Sequence, residues 1–149
     1  MNPIQHLSHR LASEIPLCKA MQVRVQDYDG ESLTLTAPLA PNINDKGTAF
    51  GGSLNNVMTL AGWGLVYLAL WQQNLLAEVV IHESQMQFLA PVTGPILGQA
   101  RFTDSSHVQR FSERVAAGKR AGISIDGNVY QKDAIAAQMG ARFVAWLKP

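Results

Sequence analysis

The chain has 149 residues, 47% of them hydrophobic and 15% charged, with 12 basic and 11 acidic side chains and a formal charge of +1. Such a length fits one domain, residues 1–149, that buries about 68–70% of its unfolded surface. The near-neutral charge argues against wholesale nucleic-acid binding, and the single cysteine, Cys18, excludes an internal disulfide. Met1 to Arg10 is mixed and polar, without the apolar core of a signal segment, so a reducing cytoplasm is the expected setting.

Asn2 before Pro3 is a helix-start signal, and Ile4, Leu7, Leu11 and Ile15 recur at helical spacing until Pro16 ends the segment. Met21 to Val25 and Leu33 to Ala37, separated by Asp27-Tyr28-Asp29-Gly30, alternate like the arms of a hairpin, with Pro38 and Pro41 marking the exit. A small and polar run from Asn42 to Ser53 then opens into an apolar stretch from Leu54 to Trp71. Ser53 or Thr48 is suited to cap first-turn amides there, while Gly51 and Gly52 let a ligand come close to them. Unpaired N–H groups at a helix start, backed by the helix dipole, suit an anion or a developing oxyanion. An oxyanion hole is thus legible before any nucleophile.

Asn55, Asn56, Thr59 and two glycines interrupt Leu54 to Trp71, which reads as a buried helix and not as a membrane span. Its apolar residues, among them Val57, Met58, Leu60, Trp63, Val66 and Leu70, occupy nearly every side, so most of its circumference needs cover. Strands are expected at Glu78 to Leu89, Ile96 to Phe102, Ala121 to Tyr130 and Ala136 to Trp146. Thr93-Gly94-Pro95, Asp126-Gly127-Asn128 and Lys132-Asp133 read as turns, and Ser112 to Ala117 as one short helix. A curved antiparallel sheet wrapped around the long helix, an α+β domain, satisfies all of this.

The order of elements, together with Asn44, Gly47 and Phe50-Gly51-Gly52 at the helix start, resembles the hotdog fold of the thioesterase superfamily over essentially the whole chain. Hotdog thioesterases of the phenylacetate-pathway type carry an Asn, a Gly three residues on, and His-Gly-Gly at those places. The segment from Asn44 to Leu54, with Thr59-Leu60-Ala61-Gly62-Trp63-Gly64 downstream, is more particularly similar to a branch called putative thioesterases. That branch also forms the second domain of certain acetyltransferase-like bacterial proteins of the YiiD type, and some members are malonyl-acyl-carrier-protein decarboxylases. The resemblance implies an acyl thioester carried on the phosphopantetheine of coenzyme A or acyl carrier protein, with no further cofactor. It also implies a homodimer at least, with tetramers left open.

Two departures from the hydrolytic pattern bear on the reaction. Phe50 stands where those relatives carry histidine, and Leu60, Ala61, Gly62 and Trp63 occupy the helix positions where they carry Asp or Glu. Hydrolysis needs a nucleophile or an activated water, and the central helix supplies no base for either. Asp45 from the turn, or a group from a second subunit, remains open to that role. Decarboxylation of a malonyl thioester needs no base, only donors for the enolate oxygen; the amides of Gly51 and Gly52 with the side chain of Asn44 are such donors, and Thr59 is a further catalytic candidate. Asn42, Gly47, Thr48, Phe50, Ser53 and Asn55 are candidates to bind substrate, Phe50 as an apolar wall for the departing carboxylate.

Plainer readings stand beside these. Asn42 and Asn44 after Pro41 also suit Asx turns, and Gly47, Gly51 and Gly52 tight backbone packing. Trp63, Tyr67 and Trp71, four residues apart, suit packing, and Cys18 has no histidine near it in sequence. A phosphate-loop reading fails because Ser53 stands where a lysine is required, and the four histidines are not spaced as metal ligands. Between Arg101 and Arg120 five basic residues face two acidic ones, an excess of +3, and Arg110 and Arg114 in that stretch are candidates to hold coenzyme A phosphates or an acidic carrier protein. The expected activity is decarboxylation of malonyl-acyl carrier protein to the acetyl form for fatty-acid initiation. Acyl-thioester hydrolysis stands second, and an acyl-thioester binding module without chemistry third.

Overall fold

Asn2 caps the first helix, α1 (Pro3–Glu14), as its side chain accepts the Gln5 N–H at 2.8 Å while the Gln5 side chain accepts the Asn2 N–H in return. Substituting Asn2→Ala is expected to cost about 1 kcal/mol, read as a shifted denaturant midpoint at constant slope. Pro16 does end α1, and it also starts a second helix, α2 (Pro16–Met21), that the spacing did not announce. At the first helical position proline loses no hydrogen bond, so one residue serves both purposes. The hairpin follows as β1 (Arg24–Tyr28) and β2 (Ser32–Ala37), antiparallel. Its turn is tighter than expected, because the Asp29 carboxylate accepts the N–H groups of Glu31 and Ser32, which also holds its carboxyl below the ordinary range.

The computed structural model describes residues 1–149. A central helix, α3 (Gly51–Trp71), is about 31 Å long at 1.5 Å per residue and lies on the inner face of a six-stranded sheet. The remaining strands are β3 (Ala77–Phe88), β4 (Ile96–Phe102), β5 (Ala121–Gln131) and β6 (Ala134–Leu147). The sheet order is β1-β2-β4-β5-β6-β3 with every pair antiparallel, the hotdog arrangement, and β3 is an outer strand paired only with β6. A short helix, α4 (Val108–Ala116), starts four residues earlier than expected and buries Phe111, Ser112 and Val115.

Asp126-Gly127-Asn128 is not a turn: it runs straight through the middle of β5. Gly127 faces α3, and a Cβ there would lie 2.1 Å from the Met58 methyl, so the glycine provides room for a helix side chain and not for a bend. The reversal between β5 and β6 is at Lys132, with φ 55°, as the Lys132-Asp133 signal indicated. Along the C-terminal half of α3, His6 of α1 stacks on Trp71 at 4.1 Å and meets the Tyr67 hydroxyl at 2.6 Å, while Arg10 lies over the Tyr67 ring. Desolvation, helped by Arg10, lowers the His6 pKa, so this cover is neutral imidazole at pH 7. The Trp63-Tyr67-Trp71 row is packing.

Candidate active site

The helix begins two residues ahead of Ser53. Phe50, in extended conformation, is its N-cap, and no side chain caps it: Ser53 is buried and the Thr48 hydroxyl accepts from Asn44. The N–H groups of Ser53 and Leu54 turn back to the Phe50 carbonyl, at 2.9 and 3.1 Å. Those of Gly51 and Gly52 meet no acceptor in the chain. Two adjacent donors therefore stand open at the positive end of a 21-residue helix, an arrangement made to receive negative charge.

The loop that presents them is held by two asparagines with different tasks. Asn42 is 2% exposed and donates its side-chain N–H groups to the carbonyls of Met21 and Pro38, while its backbone carbonyl accepts the Phe50 N–H at 2.7 Å. It anchors the turn from behind and does not line the site, a correction to its expected place as a substrate ligand. Asn44 closes an Asx turn, accepting from Lys46 and Thr48 N–H at 2.8 and 3.0 Å and donating to the Thr48 hydroxyl at 2.8 Å. Its side-chain NH2 also points to the Ala49 carbonyl at 3.5 Å, the outer limit of a hydrogen bond. Gly47, at φ 79°, gives the loop its left-handed step.

Thr48, Gly51, Leu54, Phe88, Leu89 and Val92 line a groove of about 380 Å³ at this helix start. The Phe88 ring comes within 3.6 Å of where a Gly51 side chain would begin, and the Phe50 ring folds over Gly52 so closely that a Cβ there would meet it at 2.4 Å. Phe50 is nevertheless 57% exposed, an apolar wall turned to solvent. Asn55 is exposed and Thr59 half-buried one turn further on, on the same helix stripe. Larger hollows, about 440 and 570 Å³, open on the outer face of the sheet among Glu83, Gln85, Asp126 and Arg142, lined mostly by polar residues of the strands. The groove at the helix start is the candidate site, because the unpaired Gly51 N–H belongs to its wall and that of Gly52 follows directly.

No titratable residue lines the groove. Asp45 is exposed and paired with Lys46, on the solvent side of the turn. The Cys18 thiol is 2% exposed, and burial pushes its pKa up, which makes it inert. Arg110 and Arg114 are exposed on α4, which packs at the opposite end of α3, where the Gln73 side chain donates to the Ser112 hydroxyl at 2.9 Å. Within one protomer the structure does not bring them to the glycine turn. Phe88, Leu89 and Val92 were not anticipated as site residues, since only folding carries the end of β3 across to the start of α3.

The family model described as "Putative thioesterase (yiiD_Cterm)" matches residues 4–147. A protein of unknown function from Chlorobaculum tepidum is 31% identical, superposes with a TM-score of 0.91, and shares 97% of this chain and 94% of its own. A putative thioesterase from Shewanella oneidensis is 30% identical with a TM-score of 0.85, and 97% of each chain is covered. A thioesterase from Haemophilus influenzae, 11% identical, shares the fold with a TM-score of 0.74 over 99% of this chain and 92% of its own. With its central helix, six-stranded antiparallel sheet and glycine turn in place, the chain belongs to the yiiD C-terminal family of the hotdog thioesterase superfamily.

Proposed function

We propose that this hotdog enzyme decarboxylates the malonyl thioester of acyl carrier protein to the acetyl thioester. The observation that carries the reading is the pair of free amides at the helix start, Gly51 in the wall of a groove without a titratable side chain and Gly52 beside it under the Phe50 ring. When the bond between the α-carbon and the carboxylate breaks, its electron pair passes into an enolate whose charge falls on the thioester oxygen. Carbon dioxide leaves, and a proton from water returns to the α-carbon. The two amides and the lightly held Asn44 N–H are neutral donors for that oxygen, and one such donor is worth about 2.7–4 kcal/mol in a desolvated site. Phe50 and Phe88 flank the helix start and disfavour the solvated carboxylate more than neutral carbon dioxide. Thioester hydrolysis is the second reading, favoured by the family description, and it requires a base from outside the groove.

The same reading includes a dimer. β3 leaves one edge unpaired and exposes Val80, Ile81 and Phe88, a template for another strand. Its Phe88 end lies at the start of α3 and its Ala77 end beside the finish of α3 and α4. Antiparallel pairing of two β3 edges about a twofold axis would set Arg110 and Arg114 of the partner subunit on the side of this groove, placed for phosphates or an acidic carrier protein. Replacing both, Arg110→Glu with Arg114→Glu, is expected to raise KM for the carrier-bound substrate about tenfold at low salt, and less as salt rises.

The deciding experiment incubates the protein with malonyl and saturated acyl thioesters, resolves products by mass spectrometry and titrates free thiol. Acetyl thioester without free thiol supports decarboxylation. Free thiol moves the assignment to hydrolysis, and tight binding with neither product leaves an acyl-thioester binding module without chemistry.

A further inference from the structure

Leu54 forms part of the groove, and one turn on, on the same face of α3, stands Met58, fully buried. Its side chain runs between helix and sheet into a gap left by two glycines on neighbouring strands. A Cβ on Gly98 would lie 2.9 Å from the Met58 sulfur, and one on Gly127 2.1 Å from its methyl. The same position on Gly127 is 3.6 Å from the Met139 methyl, and Met139 in turn pairs across the sheet with half-buried Met86 on β3. The space under α3 behind Leu54 is therefore filled by unbranched, flexible thioethers, packed over strand positions that carry no side chains. Gly98 and Gly127 lie inside strands, where glycine weakens the sheet; Met58 fills the space at Gly127 and shares that at Gly98 with Val57, whose methyl lies as near, at 2.9 Å.

We propose that Met58 is a specificity-determining residue: it occupies the path an acyl chain would follow between α3 and the sheet and so confines the site to short acyl groups such as malonyl and acetyl. The inference rests on the acyl-thioester reading and holds for either reaction at the groove. Met58→Ala removes three heavy atoms and exposes the Gly98–Gly127 floor, room for roughly two to three methylenes.

The test measures inhibition of malonyl-thioester turnover by saturated acyl-coenzyme A esters from two to twelve carbons, alongside direct binding of the same series. The native protein is expected to favour the shortest esters, and Met58→Ala to bind four- to six-carbon esters about tenfold or more tightly than the native protein does. Circular dichroism checks the fold; should Met58→Ala not fold, Met58→Val trims the same reach more gently and should show a smaller shift in the same direction. An unchanged profile in the folded variant overturns the assignment of Met58 and leaves the thioester reading intact, as does native protein that already binds dodecanoyl-coenzyme A as well as acetyl-coenzyme A. A native protein that neither binds nor turns over any thioester overturns both.

Discussion

Gly51→Pro is expected to lower kcat by about 10²–10³-fold while the protein stays as stable as before. Gly51 is the first helical residue, its N–H has no acceptor in the chain, and proline at that position removes the N–H alone. The backbone is already suited to the change. Phe50, the preceding residue, has φ −63° and ψ 133°, the extended conformation that a following proline requires. A side chain at Gly51 would meet the Phe88 ring at 3.6 Å, ordinary contact. Because proline restricts the unfolded chain, the variant should hold or gain about 0.4–1 kcal/mol in stability, read by denaturant titration. Turnover close to native in a folded Gly51→Pro protein would remove this amide from the mechanism, whatever the reaction proves to be.

Phe143→Ala should destabilise the fold by about 3–5 kcal/mol, a large share of the 5–15 kcal/mol typical of a domain. The ring is fully buried on β6 and lies against the bare backbone of α3 at Gly62, where a Cβ would be only 2.6–2.7 Å from its edge. Removing it leaves a void between the central helix and the sheet, bounded by two rigid elements that cannot collapse far. The converse change, Gly62→Ala, should cost about 1–3 kcal/mol by overpacking and be tolerated better when Phe143 is shortened to leucine. Additive effects in that double-mutant cycle would show that ring and glycine do not depend on each other.

Local signals carried most of the architecture. Asn2-Pro3, Pro16 and the spacing of Leu7 and Leu11 specify α1 through capping and helical period, and β4 falls on Ile96–Phe102 as the alternation indicated. The two misreadings share one cause. Pro16 signals a stop and is also a start, and Gly127 signals a turn and is a strand residue beneath Met58. Proline and glycine report that the backbone has a special need at a point, but the kind of need depends on what packs there.

The candidate site divides along the same line. The sequence by itself determined that the central helix would start at a glycine-rich turn and carry no carboxylate, because hydrogen-bonding capacity and charge belong to the residues themselves; that neither Ser53 nor Thr48 caps that start was settled by the fold. Only the tertiary structure decided the rest. It turned Asn42 away from the groove to anchor Met21 and Pro38, brought Phe88 from β3 onto Gly51, and put Arg110 and Arg114 at the far end of α3. Those placements follow from strand order and from the direction in which β3 runs back along the helix. Apart from Asn42 to Pro38, they join residues twenty or more positions apart, beyond the reach of any local propensity.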